Sequence, residues 1–376
     1  MGSRVTARVR LAFACCGFVA LLAATSARAQ QASTSLYVRT DSDRTTVITP
    51  RLRVSAPIAD ETTVDVAYTV DVWTSASIDI RTSASKAITE QRDQIDAGLT
   101  QVIGDATLSA GYRYSSEPDY HSSGGSLGLA YDFADRNSTL ALGLSALFDD
   151  VGRAGDPGFS RALRTTSARV SFTQVLDSKM FSQLIYELGN SEGYLASAYR
   201  FVGIGTMSGA CGDQRPAFCV MEQLPNGRQR HAVSLSLRRA LFDDLSLGAG
   251  YRFYTDDWDL LSHTVEGDLA WLAGSETLLR LRYRLYTQSK AVHYSKRFLT
   301  IAAAGRYFTH DKELSTFNAH RIALDLEHRF VLDQSGHALR LVGSLGPSFY
   351  TYVDFQPVPS ITAFETTASL VLELGP

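Results

Sequence analysis

Apolar residues recur at every second position over stretches of about ten residues along most of this chain, the spacing that gathers them on one face of a β-strand. In STLALGLSALF (138–148), Leu140, Leu142, Leu144, Ala146 and Phe148 fall on one side, and Thr139, Ala141, Gly143 and Ser145 on the other. In LSLGAGYRFYT (245–255), Leu245, Leu247, Ala249, Tyr251 and Phe253 oppose Ser246, Gly248, Gly250 and Arg252. The sharpest case is LLRLRYRLY (278–286), where Leu279, Leu281, Tyr283 and Leu285 alternate with Arg280, Arg282 and Arg284. A helix would spread those arginines around its circumference, whereas a strand collects them on one side. TVDVAYTVDV (63–72) repeats the pattern with acids, setting Val64, Val66, Tyr68, Val70 and Val72 against Asp65 and Asp71. One face therefore avoids charge and the other takes both signs.

Sixteen such strands are predicted, at 33–41, 44–56, 62–74, 91–103, 105–116, 122–134, 137–149, 164–176, 180–190, 230–242, 245–255, 262–273, 277–288, 316–331, 338–352 and 361–374. Tight turns such as Gly104-Asp105, Asp177-Ser178, Asp243-Asp244 and Gly274-Ser275 carry residues that turn geometry favours. They alternate with longer polar connections at 75–90, 117–121, 150–163, 191–229, 256–261, 289–315 and 353–360. A membrane barrel has this alternation, with short periplasmic turns and long extracellular loops; a soluble β-sandwich gives no reason for it. KRFLTIAAAGRYF (296–308) is also strand-like, but another crossing would put the turn at 333–337 outside, so it is assigned to an ordered part of an outer loop. The expected fold class is all-β: a single antiparallel transmembrane β-barrel of about 16 strands, closed because lipid offers no partner to an open strand edge. The last strand ends SLVLELGP, with Leu374 where outer-membrane strands commonly carry an aromatic residue. The doubled TSAS of DVWTSASIDIRTSASKAITEQR (71–92) falls in an outer loop, a lid or constriction whose nature the burial of Ile78, Ile80 and Ile88 decides.

The first 29 residues add a compartment. Arg4, Arg8 and Arg10 precede an apolar run from Leu11 to Ala24, and Ala27-Arg28-Ala29 forms a cleavage site, the layout of a secretory signal. The barrel domain then occupies 30–376 and belongs in the outer membrane. Cys15, in AFAC, lacks the aliphatic residue that a lipidation box carries. Removal of 1–29 takes away four arginines and no acids, moving the formal charge from -3 to -7, which argues against nucleic acid as a partner. Expected partners are the lipid bilayer, lipopolysaccharide, the barrel assembly machinery and a small solute. Cys211 and Cys219 are expected to form one disulfide in an oxidising compartment. A metal site would want further His or Cys ligands nearby, so neither a metal nor a cofactor is expected.

YRYSSEPDYHSSGGSLGLAYDFADRNSTLALGLSALFDD (112–150), the Ser/Ala-rich 71–92 stretch and DKELSTFNAHRIALDLEHRF (311–330) resemble a bacterial family called domain of unknown function 3570. The signature pieces are E-x-D-Y-x-S at Glu117, Asp119, Tyr120 and Ser122, and D-x-x-L-S-x-F at Asp311, Leu314, Ser315 and Phe317. The likeness spans nearly the whole mature chain. It implies an outer-membrane-type barrel and brings no catalytic residues with it.

Several constellations carry residue types that chemistry could use. DYHSSGG places Ser123 two residues after His121, similar to the His-x-Ser-Asn-Gly of outer-membrane phospholipases, and LYTQ (285–288) echoes another piece of those enzymes. A nucleophilic serine needs an oriented base; here Gly124 replaces the asparagine, and a Gly/Ser turn in a short outer loop is the plainer reading. TDDWDL (255–260) and Asp149-Asp150 read as solvated turn acids, and GIGTMSG (203–209) lacks the strand and helix of a phosphate cradle. The charged face carries more weight. Arg51, Arg53, Arg113, Arg252, Arg280, Arg282, Arg284, Arg321 and Arg329 are expected to project inward with Asp65, Asp71, Asp96, Asp325 and Glu327, because an arginine on the lipid face costs roughly 2–4 kcal/mol at the midplane. These side chains either tie the wall together as ion pairs or form a selectivity region, the arginine row facing acids elsewhere and favouring anionic or zwitterionic solutes. A channel or solute-binding barrel is thus the leading expectation, with 191–229 and 289–315 as candidate plugs. An embedded hydrolase and a structural or docking barrel are the alternatives.

Overall fold

The computed structural model describes residues 31–75, 88–205, 211, 219–355 and 358–375. The signal segment, the doubled TSAS except Thr74 and Ser75, Ile78 and Ile80 lie outside them; Ile88 opens a strand. In chain order the strands are β1 Gln31–Asp41, β2 Thr45–Ala59, β3 Thr62–Ser75, β4 Ile88–Ile103, β5 Ala106–Glu117, β6 Tyr120–Phe133, β7 Ser138–Val151, β8 Arg161–Asp177, β9 Met180–Gly193, β10 Phe201–Gly203, β11 Cys219–Met221, β12 Gly227–Ala240, β13 Leu245–Asp256, β14 Leu261–Leu272, β15 Thr277–Gln288, β16 Phe317–Val331, β17 Ala338–Tyr352 and β18 Ser360–Glu373. Each predicted crossing is present. The sixteen long strands form one closed antiparallel barrel, while β10 and β11 pair as a separate small hairpin between β9 and β12. Closure runs through β1 and β18, in register from Gln31↔Glu373 to Asp41↔Ala363.

Residues 296–308 hold no barrel strand but a helical turn, Ile301–Ala304, capped by the Thr300 side chain. One predicted connection is corrected: 117–121 is no loop, since β5 ends at Glu117 and β6 begins at Tyr120. His121 and Ser123 therefore sit on a strand.

The period-two pattern becomes two walls. Leu140, Leu142, Leu144 and Phe148 on β7, Leu281 and Tyr283 on β15, and Leu370 on β18 are exposed on the outside, an apolar surface that only hydrocarbon satisfies over so large an area. A 14-residue strand such as β7, rising about 3.3 Å per residue at a tilt of about 40°, climbs about 35 Å, enough for an apolar band of roughly 25 Å. The barrel is a transmembrane one.

On this outer wall, near the long-loop end, tyrosine hydroxyls repeatedly bond a polar side chain of the next barrel strand. Tyr186 bonds His231 (2.8 Å), Tyr251 bonds His263 (2.7 Å), Tyr283 bonds His320 (2.8 Å) and Tyr68 donates to Asp93 (2.5 Å). Each tyrosine lies diagonally across the ladder from its partner. Rings with one polar tip suit the boundary between hydrocarbon and headgroups.

Candidate functional site

The charged side chains on the inner wall pair with the adjacent strand or the next but one. From β15, Arg280 approaches Asp268 of β14 (3.4 Å), Arg284 approaches Glu266 of β14 (3.1 Å), and Arg282 bonds Asp325 of β16 (2.7 Å). Arg238 of β12 also bonds Asp268, at 2.8 Å. Gly248 on β13 makes room for that pair, since a Cβ there would stand 1.8 Å from the Asp268 carboxylate and 2.9 Å from Arg238. Arg252 bonds Glu187 (2.9 Å), Arg321 pairs with Glu365, Arg329 bonds Glu373 (3.1 Å), and Arg340 joins Glu327 (3.0 Å) to Glu373 (3.1 Å). On the first strands Arg53 bonds Asp65 (2.6 Å), Arg92 pairs with Asp71, and Arg113 bonds Asp96 (2.7 Å).

These pairs relocate the acids expected opposite the arginine row. β5 stands eight strands from β15 in the ring order, the far side of the barrel, and the wall there is built of small residues. Gly98, Ser109, Gly111, Gly124, Ser126 and Ser145, with Arg51, Arg53 and Arg113, line a recess of about 530 Å³. Side chains on adjacent strands lie about 5 Å apart, whereas a sixteen-strand barrel is wide enough for a water-filled channel. Coulomb attraction is therefore met locally. Being half-exposed, each pair contributes only about 0–1 kcal/mol; its effect is to fix where each charge stands. Asp268, Glu266, Glu187, Arg238, Glu365 and Glu373 were missed in the sequence. The signal was there: Glu266 and Asp268 alternate with Val265, Gly267 and Leu269 in LSHTVEGDLAWL.

At the long-loop end, the described residues of 194–226 and the segment 289–316 fold together as a cap. Bridges Ile204↔Phe298 and Gln223↔Phe308 tie them, and Tyr294↔Thr309 pairs the second segment with itself. Val202, Ile204, Phe298, Ala304 and Phe308 form one apolar core, and Leu224, Trp258, Leu260, Ala291, Tyr294 and Leu314 another. The Cys211–Cys219 disulfide, with Cα atoms 5.8 Å apart, belongs to the first segment. Gln288, at the end of β15, donates to the carbonyls of Glu313 (2.9 Å) and Ser315 (2.6 Å). Lys312 reaches Asp43 in the β1–β2 turn (3.6 Å), and the Ala154 N–H donates to the Tyr199 hydroxyl (2.6 Å). LYTQ thus holds the cap: Tyr286 donates to Gln288 (2.6 Å), and the segment lies seven strands from β6. The His121 ring nitrogen Nδ1 lies 3.0 Å from the Ser116 hydroxyl, so its contact is Ser116 rather than Ser123.

The reading of TDDWDL and Asp149-Asp150 as solvated is corrected at two positions: Asp256 and Asp149 are buried, while Asp150, Asp257 and Asp259 are exposed. Asp256 accepts from the backbone N–H groups of Trp258 and Leu260 (both 3.0 Å), the Tyr254 hydroxyl (2.8 Å) and two Arg228 nitrogens (2.9 and 2.5 Å). A carboxylate two residues before an N–H is well placed to close such a turn on itself. Both signature pieces also lie at this end: Glu117 and Tyr120 flank the tight β5–β6 turn, Leu314 joins the second cap core, and Ser315 is fully buried.

The cap has a titratable centre. Glu222 accepts from the Ser197 N–H (2.8 Å) and the Thr309 hydroxyl and lies 3.4 Å from Arg200, which also bonds Asp311 (2.8 Å). Burial raises the Glu222 carboxyl above its ordinary 4.5, with Arg200 opposing the rise. Burial lowers His310, whose ring lies tilted against Phe298 with centroids 5.3 Å apart, below its ordinary 6.5. The two act oppositely on cap stability. The Glu222 contribution is complete below pH 4.5 and lost as pH rises through its raised value; that of His310 is present above pH 6.5 and lost on acidification below it. In Glu222→Gln, amide exchange at Gln223 and Thr309, corrected for intrinsic rate, is therefore expected to quicken below pH 6.5. In His310→Gln it is expected to slow towards pH 4.5. Flat profiles in both variants would refute the assignment.

Among solved structures, similar barrels include one described as a bacterial polysaccharide outer membrane secretin (TM-score 0.49, 10% identity, 92% of this chain and 99% of that one). Two others are the CymD monoaromatic hydrocarbon channel (TM-score 0.45, 9% identity, 93% and 90%) and Pseudomonas aeruginosa OprD (TM-score 0.44, 8% identity, 92% and 96%). No curated protein matches the chain. The model of one protein family matches residues 80–165 and 160–341, a span that holds both signature pieces but leaves out β1, β2, β3, most of β17 and all of β18. By that match the chain belongs to the family described as Protein of unknown function (DUF3570).

Proposed function

We propose that the barrel resides in the outer membrane, delivered there by a signal cleaved after residue 29, and admits a small anionic or zwitterionic solute to its lumen. The observation that carries this reading is the asymmetry of the inner wall: long, ion-paired arginines on β15 face small residues on β4 to β7, which leaves room along that side. The arginine row with Arg252, Arg321 and Arg329, and the acids Asp65, Asp71, Asp325 and Glu327, would set the field that a passing ion meets. The outer wall would contact the bilayer and lipopolysaccharide, and insertion would use the barrel assembly machinery. Reconstituted in planar bilayers, the full barrel is expected to conduct with a preference for anions. Arg280, Arg282 and Arg284 changed together to Glu should shift that preference towards cations, since Asp325 and Glu266 then lose their partners and Asp268 keeps only Arg238. A barrel that conducts nothing, or a triple variant with unchanged reversal potential, would overturn the proposal.

A further inference from the structure

Where the inner faces of β12 to β15 meet the cap lies a cavity of about 340 Å³. Three guanidinium groups line it, and they are differently committed. Arg228 is held by Asp256 and lies over the Trp258 ring, 4.4 Å from its centroid. Arg252 is paired with Glu187. Arg230, half-buried between them, makes no side-chain hydrogen bond or ion pair among the described residues. Its wall includes Tyr254, Tyr286 and Leu314, all part of the same cavity. A cation withdrawn from water without an acceptor is costly, and the planar fork of arginine matches a carboxylate with two parallel bonds.

We propose that this cavity binds a small monocarboxylate with an aromatic or branched apolar body, its carboxylate on Arg230 and its body against Tyr254, Tyr286 and Leu314. One charge is favoured over two. Asp311 and Glu313 line the cap side, and of the three guanidiniums only Arg230 makes no ion pair among the described residues, its cross-strand neighbour Asp256 being held by Arg228. The inference deepens the reading of the barrel as one that admits solute and rests on it, but binding and passage are measured separately.

The test is calorimetric titration of the full barrel in detergent with benzoate, the neutral benzamide and the dianion phthalate. Benzoate is expected to bind at least roughly tenfold more tightly than either, the scale of one charge-assisted hydrogen-bonded contact. Arg230→Gln should lose that preference, Arg230→Lys should keep part of it, and Arg51→Gln, elsewhere in the lumen, should leave it intact. Equal binding of benzoate and benzamide by the wild-type barrel overturns the site without reference to any variant, as does an Arg230→Gln barrel of wild-type heat-modifiable mobility that binds benzoate unchanged. A barrel that conducts without discriminating these ligands loses the site and keeps the passage. One that discriminates without conducting loses the passage and keeps the site.

Discussion

Asp256→Ala is expected to unseat the cap while leaving the barrel closed. The carboxylate is fully buried and answers a guanidinium, a hydroxyl and two backbone amides at once. Its removal leaves Arg228 buried without a counter-charge and opens the turn that carries Trp258 and Leu260 into the second cap core. Breaking a buried pair from one side costs about 3–5 kcal/mol, against surface ion pairs of about 0–1 kcal/mol on the lumen wall. The loss falls on the cap, because β13 and β14 keep their ladder from Leu245↔Trp271 to Thr255↔Leu261. Limited proteolysis should then cut 194–226 and 289–316 much faster than in wild type, with unchanged heat-modifiable mobility of the barrel. Asp256→Asn, which retains an acceptor for the Trp258 and Leu260 amides, should fall between the two. Wild-type protection in the alanine variant would mean that the cap is held by its apolar cores alone.

The second large effect separates two adjacent residues. Leu142 and Gly143 lie near the middle of β7 and point to opposite walls, Leu142 exposed outside and Gly143 with nothing within 4 Å of a Cβ on its own side. Leu142→Arg should cost roughly 2–4 kcal/mol, the penalty of a guanidinium in mid-bilayer, seen as a lower urea midpoint of unfolding from lipid vesicles. Gly143→Arg should cost far less, since its side chain enters the lumen between Gly128 and Arg169 of the adjacent strands, where water screens the two guanidiniums. Equal penalties at the two positions would contradict the assignment of inner and outer walls.

Much of this was legible from residues because a strand has a period of two and a membrane barrel has two unlike walls. LLRLRYRLY placed its arginines inside and its leucines outside without help from any other segment. The alternation of short and long connections also fixed the parity that kept 296–308 out of the barrel. The site was legible in kind but not in arrangement. That Arg280, Arg282 and Arg284 face inward follows from their spacing; that Asp268, Glu266 and Asp325 answer them depends on the registers Asp268↔Arg282, Glu266↔Arg284 and Arg280↔Asp325, which one strand does not encode.

The sequence by itself determined the strands, their number, their two faces and the closed antiparallel wall, because each of these is set by local periodicity and by the need to pair every backbone amide in lipid. Only the tertiary structure decided which charges neutralise one another, that Asp256 is buried, that the two long loops join into a cap, and that Arg230 makes no ion pair among the described residues. Those outcomes rest on contacts between segments distant in the chain, such as Arg200 with Asp311 and Lys312 with Asp43. Coulomb attraction falls off over a few ångströms in a wet lumen, so such contacts are decided by position in space and not by order along the chain.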